Sequence, residues 1–211
     1  MGKNEETWNA VIANLRFDGQ DTYEQAIAGR LARCIIINNE FLNFTGNTIG
    51  ALDTAGYGQC IIANNYFNKC NVAIQHYGYD NLIINNYIYS CNYGIVDEFG
   101  YMLLIKNVIS SNNYDGVVLK GSGSWLFGNE IFNNNASGGD YGGVRIEGTE
   151  NIIIGNRVYD SRDTPLQTFG IYEVSEADYN IIIGNILKRN VKANLSIIGA
   201  NTVAGLNIEI S

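Results

Sequence analysis

Apolar and polar positions along the chain repeat one short figure: a polar or sulfur-bearing residue, three apolar residues, a polar residue or glycine, then asparagine. It reads Cys34-Ile-Ile-Ile-Asn-Asn39, Cys60-Ile-Ile-Ala-Asn-Asn65, Asn81-Leu-Ile-Ile-Asn-Asn86, Met102-Leu-Leu-Ile-Lys-Asn107, Ser124-Trp-Leu-Phe-Gly-Asn129, Asn151-Ile-Ile-Ile-Gly-Asn156 and Asn180-Ile-Ile-Ile-Gly-Asn185. The final asparagines lie 26, 21, 21, 22, 27 and 29 residues apart. That is too short for a helix-pair repeat and suits one coil of a β-solenoid with several short strands. From a preceding small residue the count to the asparagine is 13 in five coils, Ala26 to Asn39, Ala73 to Asn86, Gly94 to Asn107, Gly116 to Asn129 and Gly143 to Asn156. Two strands and their connection therefore have fixed length, and insertions project from a single edge.

Strand alternation assigns faces to the figure. Counting from the asparagine, positions −4, −2 and +2 are apolar in every copy, and the pattern predicts that they point inward with the asparagine itself. Stacked amides would then form an asparagine ladder inside the solenoid at a rise of about 4.8 Å per coil. Position −3 is expected to face outward, yet it reads Ile36, Ile62, Ile83, Leu104, Leu126, Ile153 and Ile182. An outward aliphatic stripe of that length predicts burial against another molecule, or cover by long neighbours such as Lys106 and Tyr87.

Composition agrees with an all-β chain: thirty asparagines, twenty-nine isoleucines, 24 glycines and one proline in 211 residues, with little to favour long helices. A formal charge of −8 disfavours nucleic acid and anionic membrane surfaces as partners. No apolar run approaches membrane-span length and no export signal is visible. The chain reads as one β-helix domain, with residues 1–9 as an uncapped lead-in, 10–198 as coils and 199–211 as a degenerate terminal coil. Since nothing ahead of Val11 could cap the first coil, a segment of a longer protein or a covering partner is expected.

On these repeats the sequence resembles the right-handed parallel β-helix superfamily, the pectate-lyase-like and phage-tailspike-like proteins, from about Ala10 to Ile198. The stretch Asn151-Ile-Ile-Ile-Gly-Asn-Arg-Val-Tyr-Asp160 with Gln167-Thr-Phe-Gly-Ile-Tyr172 looks most like β-helices of phage appendages and polysaccharide-degrading proteins. The resemblance implies a right-handed parallel β-helix of about eight coils and a polysaccharide partner. It also implies an extracellular, cell-surface or virion location and a homo-oligomer, most simply a trimer. It transfers no catalytic residue, because the Gly-His-Gly, Asn-Thr-Asp, Trp-x-Asp-His, Arg-x-Pro-x-x-Arg and Asp-Pro-His signatures are absent.

Candidate chemistry must therefore come from the residues. Aligned on the strand after the small residue, Asp53, His76 and Asp97 fall in one column, with Glu173 further along it. Glu98, Lys120 and Glu147 fall in the next. His76 with Asp97, or Glu98 among its neighbours, could act as general acid and base, or these could be a polar strand end and a surface ion ladder. Two eight-residue insertions bring Asp140 and Tyr141 close to Asp160, Asp163, Phe169, Tyr172 and Glu173. Carboxylates beside aromatic faces suit sugar recognition, and Asp140 and Asp163 are further acid–base candidates. A single histidine and no close cysteine pair leave no zinc site, and no cofactor fingerprint appears. The cysteines, Cys34 over Cys60 and Cys70 over Cys91, are expected as packed thiols. Two functions remain open: a polysaccharide-binding domain that on one reading also cleaves its ligand as a glycoside hydrolase or lyase, and a non-catalytic shaft or adhesin module.

Overall fold

A computed structural model describes residues 6–23, 25–27, 29–45, 50–53, 58–174 and 176–210. Each coil visits three parallel sheets in turn, as in Ile152–Ile154, Arg157–Tyr159 and Phe169–Glu173. The first and second sheets hold nine strands and the third holds seven; every pairing is between consecutive coils, so the chain is a parallel β-helix of about eight turns. A two-stranded sheet, Glu6–Trp8 on Arg30–Ala32, starts the stack. Residue stands over residue throughout, as Ile62 below Ile83 below Leu104.

The strands are short because left-handed residues punctuate them every five positions. Arg33, Asn38 and Asn43 have φ of 56°, 58° and 59°, and the same spacing recurs at Gln59, Asn64 and Lys69, at Asp80, Asn85 and Ser90, and at Tyr101, Lys106 and Ser111. Asparagine and glycine tolerate this conformation best, which explains why position −1 of the figure is Asn in the early coils and Gly in Gly128, Gly155 and Gly184. Each left-handed residue bends the chain, and the residue after it points inward.

The bend overturns the face assignment made by alternation alone. Position −3 is completely buried in all seven copies, from Ile36 to Ile182, and builds the core with the column Phe41, Phe67, Ile88, Ile109, Ile131, Val158 and Leu187. Positions −4 and −2 face outward, as in the half-exposed Trp125 and Phe127 flanking Leu126. The apolar stripe expected on the surface is thus the core, and its premise for assembly falls. Rows −4 and −2 supply partly exposed apolar residues instead.

The asparagine column is a ladder as expected. Asn86 donates from its backbone N–H and Nδ2 to Asn107 Oδ1 at 2.8 and 3.0 Å, while Asn107 Nδ2 reaches Ile83 O and Asn129 Oδ1 at 2.9 and 3.1 Å. Two further ladders line the other corners. One runs through Cys60, Asn81, Ser124, Asn151 and Asn180, with Asn151 N–H donating to Asn180 Oδ1 at 2.8 Å. The other passes from Cys91 through Asn112 and Asn134 to Gln167. All four cysteines are buried free thiols standing in ladder positions, where the Cys34 and Cys70 N–H groups point at the sulfurs of Cys60 and Cys91. The final strands, Val203–Gly205 and Ile208–Ile210, keep the full register and carry the ladder on to Asn207. The reading of 199–211 as degenerate missed this copy, because Val203-Ala-Gly-Leu-Asn207 lacks the triple aliphatic run.

Candidate functional site

The outer face of the third sheet carries unlike residues from coil to coil. It forms an open groove of about 520 Å³ floored by Val72, Val96 and Val118 and bordered by Tyr93, Glu98, Lys120, Arg145 and Glu147. Of the expected ion ladder, Lys120 Nζ lies 2.8 Å from Glu98, whereas Glu147 pairs instead with Arg145, Nη2 at 3.0 Å. Tyr93, Tyr114 and Tyr141 run up one border with centroids 4.9 and 4.8 Å apart.

Beside this border sits Asp115, fully buried. Its Oδ1 accepts from the Gly142 N–H at 2.7 Å and the Tyr172 hydroxyl at 2.8 Å, and its Oδ2 has no partner among the described residues. Burial pushes the Asp115 carboxyl up to about 6, against the lowering effect of these donors and Arg145. Tyr172 is raised by burial and by the Asp115 charge. The coil above packs tightly on Gly142: a Cβ there would lie 2.5 Å from Phe169 O and 3.0 Å from Tyr172 Cε1. Arg145 Nε is likewise buried without an acceptor among the described residues.

The two insertions do sit side by side. Asn135 Nδ2 donates to Gly139 O and Leu166 O at 2.9 Å each, and Thr168 Oγ1 donates to Gly139 O at 2.6 Å. The expected site residues then divide. Tyr141 packs on Tyr114, whereas Tyr172 is buried with its hydroxyl on Asp115 and Phe169 stacks on it at 4.6 Å. Asp140 is exposed and paired with Lys192 at 2.9 Å. Asp163 lies in the exposed loop, where its carbonyl accepts from Arg189. Asp160 is buried and organises that loop: Leu166 N–H and Gln167 N–H donate to it at 2.8 Å and Arg162 closes on it. Burial raises the Asp160 carboxyl, and these donors more than offset it, leaving it below the usual range.

His76, Asp97 and Glu173 point into the solenoid. Asp53 pairs in register with Gln75, one place off the expected column with His76. His76 and Asp97 do stack but are wholly buried, Nδ1 to Oδ1 2.8 Å, with Ser124 Oγ and Gly100 N–H also donating to Asp97 at 2.6 and 2.8 Å. Burial raises Asp97, but His76, Ser124 and Gly100 outweigh it and hold the carboxyl low. A polysaccharide cannot reach this pair. Glu173 is also interior, accepting from Thr202 Oγ1, Asn180 Nδ2 and the Gly199 N–H at 2.6, 2.8 and 2.9 Å. Among the described residues no three His, Cys, Asp or Glu side chains group closely enough to hold a metal ion.

Asp115, Arg145, Tyr93 and Tyr114 escaped the sequence reading. Tyr93 and Asp115 stand in the column before the small residue, which reads Val72, Tyr93, Asp115, Gly142, Phe169. A carboxylate followed one coil later by glycine was the available signal.

The geometry defines a parallel β-helix with a surface groove, and known proteins share the fold. A family model described as "Right handed beta helix region" matches residues 72–210, and the chain belongs to that family. Among solved structures it resembles the A-module of mannuronan C-5 epimerase AlgE6 of Azotobacter vinelandii, with a TM-score of 0.78 and 15% identity over 97% of this chain and 58% of that one. The AlgE4 A-module of the same organism gives 0.77 and 16% over 95% and 59%. The chain thus spans under two thirds of either module, and at such identity the likeness is one of fold. No curated protein sequence matches it.

Proposed function

We propose that the chain is a polysaccharide-binding β-helix module that seats a glycan along the third-sheet groove. The observation that carries this reading is the groove itself, whose valine floor is bordered by the Tyr93 ring, the donors Lys120 and Arg145 and the acceptors Glu98 and Glu147. A sugar hydroxyl, which both donates and accepts, suits a border that offers both kinds of group. The tyrosine border gives the pyranose faces a surface to pack on. The structural neighbours support a polysaccharide ligand by fold-level analogy. Any cleavage would rest on Glu98 and Glu147, the carboxylates that line the groove, because Asp115 is as buried as His76 and Asp97. On this reading the protein works outside the cell or on a virion. Any trimer of the tailspike kind would form through the outward rows around Ile61 and Ile181, and light scattering reports the mass.

The test is calorimetric titration with uronate and neutral oligosaccharides, followed by assay for new reducing ends or unsaturated products. Binding should fall at least tenfold in Arg145→Ala and Tyr93→Ala. Asp140→Ala with Asp163→Ala tests the loops: the sequence expectation is lost binding, whereas a groove-centred site predicts little change. Binding untouched by Arg145→Ala and Tyr93→Ala would overturn the groove. The unbroken ladders favour a second reading, a rigid spacer, which predicts no glycan binding.

A further inference from the structure

The corner at which each coil leaves the third sheet and enters the first carries side chains that the groove does not use. Its left-handed column reads Gln59, Asp80, Tyr101, Gly123, Glu150 and Tyr179. At Gly123, φ +73°, the column has no side chain, and the Tyr101 ring lies against the gap; a Cβ there would stand 3.1 Å from Tyr101 Cε1. Two residues on, Trp125 projects from the outer face of the first sheet, in register above Leu103 and Leu82. A notch of about 340 Å³ opens between them, floored by Leu82 and Leu103, walled by Tyr101 and Trp125, with Asp80 at its rim.

Both walls are more than half exposed, Tyr101 at 55% and Trp125 at 54%. The Tyr101 ring is braced by Tyr79, 6.0 Å away, which in turn meets Phe99 edge-on at 4.7 Å. Such a cluster of exposed aromatics marks a contact surface rather than scattered apolar residues. Asp80 is exposed, and among the described residues it makes no ion pair and accepts no hydrogen bond.

We propose that this notch is a second saccharide site, taking a neutral pyranose. A pyranose offers an apolar C–H face and a rim of hydroxyls; the aromatic walls match the first and the Asp80 carboxylate, an acceptor only, matches the second. The volume lies at the lower end of the roughly 300–1,000 Å³ usual for small-ligand sites, room for one or two sugar units. Asp80, with no cation beside it, repels a uronate. The notch is open on one side, so it seats a flat ring rather than enclosing a quaternary ammonium, which aromatic cages surround. No residue is shared with the groove, so the inference stands apart from the groove reading. Two sites on one stiff solenoid would raise the effective concentration of a branched or folded-back glycan at each.

The test uses the whole chain with Trp8→Phe, leaving Trp125 as the single tryptophan, since the sequence has 2. Tryptophan emission is titrated with hexasaccharides of glucose, galactose and mannose, with a hexauronate, and with choline. Expected is a saturable change with at least one neutral hexasaccharide, retained in Arg145→Ala, abolished in Tyr101→Ala and weakened about tenfold in Asp80→Asn. Because both walls are exposed, Tyr101→Ala should melt like its parent, so loss of binding is not loss of fold. A response only to choline or to the hexauronate, no response to any probe, or neutral-sugar binding unaltered by Tyr101→Ala would each overturn the proposal. So would a concentration-dependent dimer lost in Trp125→Ala without sugar binding, which would assign the notch to a second copy.

Discussion

The corner between the first and second sheets and the outer face of the third sheet lie on the same coils yet follow opposite rules. In the seven coils from Asn39 to Asn185 the corner repeats a left-handed residue and then an asparagine, between buried apolar residues. Across the third sheet, neighbouring coils place valine over tyrosine, aspartate over glycine and lysine over glutamate. A buried stack demands likeness, because each amide must find the next one at a fixed rise and each void must be filled by the residue above. A surface that recognises a ligand demands difference, since identical rungs present the same group everywhere. Where coils stop resembling one another is where chemistry can reside.

The sharpest way to break the periodic region is to put charge into its core. Ile83→Glu with Ile153→Glu places two carboxylates on wholly buried positions. An unpaired buried charge costs several kcal/mol, so the pair should fail to fold as judged by circular dichroism. A folded, merely dissociated protein would restore the outward assignment of that row.

Next in size is the ladder itself. Asn107→Ala strands the Asn86 N–H and Nδ2 and frees the carbonyls that Asn107 Nδ2 serves. At about 1–3 kcal/mol for each buried group left unpaired, a loss of about 3 kcal/mol or more is expected in denaturant unfolding. Asn113→Ala is the control on the outside, where Asn113 Nδ2 meets Asn92 Oδ1 in an exposed ladder, and should cost under about 0.5 kcal/mol. Equal losses would mean that burial does not decide a ladder's worth.

These two regions were unequally legible. The corner could be read from residues because its signal is repetition: the block, its register and the seven-asparagine column all came from spacing. Its faces were misread because alternation was carried through a left-handed residue, where it does not hold. The signal for the bend lies in pairs five apart, Asn81 and Asn86, Asn107 and Asn112, Asn151 and Asn156, each of which joins the ladders of two adjacent corners. The groove gave no such signal. Asp115 differs from its column neighbours, and only the structure shows Tyr172 reaching it past Gly142.

Titration sharpens the contrast on the aperiodic side. With the folded Asp115 pKa raised from 3.8 to about 6, the native state holds its proton more tightly than the unfolded chain. Its contribution therefore makes stability fall as pH rises through that window. Asp115→Asn removes the ionisation and should gain on the order of 2 kcal/mol at pH 7.5, with no gain at pH 3.5. Unfolding curves at the two values decide it. A gain of the same size at both would show that packing and not charge is relieved. The buried Asp97 behaves oppositely, its stabilisation being present above the ordinary carboxylate range and lost as pH falls through its lowered value.

The smallest expected effect lies on the periodic side, at the one early coil whose left-handed corner is neither Asn nor Gly. Lys106 has φ 52° where its column neighbours are Asn64, Asn85, Gly128 and Gly155. An L-residue in that region carries strain of about 1–2 kcal/mol, since Cβ crowds the following carbonyl. Glycine removes it and in exchange frees the unfolded chain at a cost of about 0.5–1 kcal/mol. Lys106→Gly should therefore stabilise by about 0.5–1 kcal/mol, and Lys106→Val, whose branched Cβ is worse placed there, should destabilise. The same glycine at Ile105, one residue earlier in the strand Leu103–Ile105, should lower stability. If Lys106→Gly and Ile105→Gly both destabilise alike, the five-residue rhythm of left-handed corners is not what sets the strand ends, and the account of why the core row and the outward rows exchanged places falls with it.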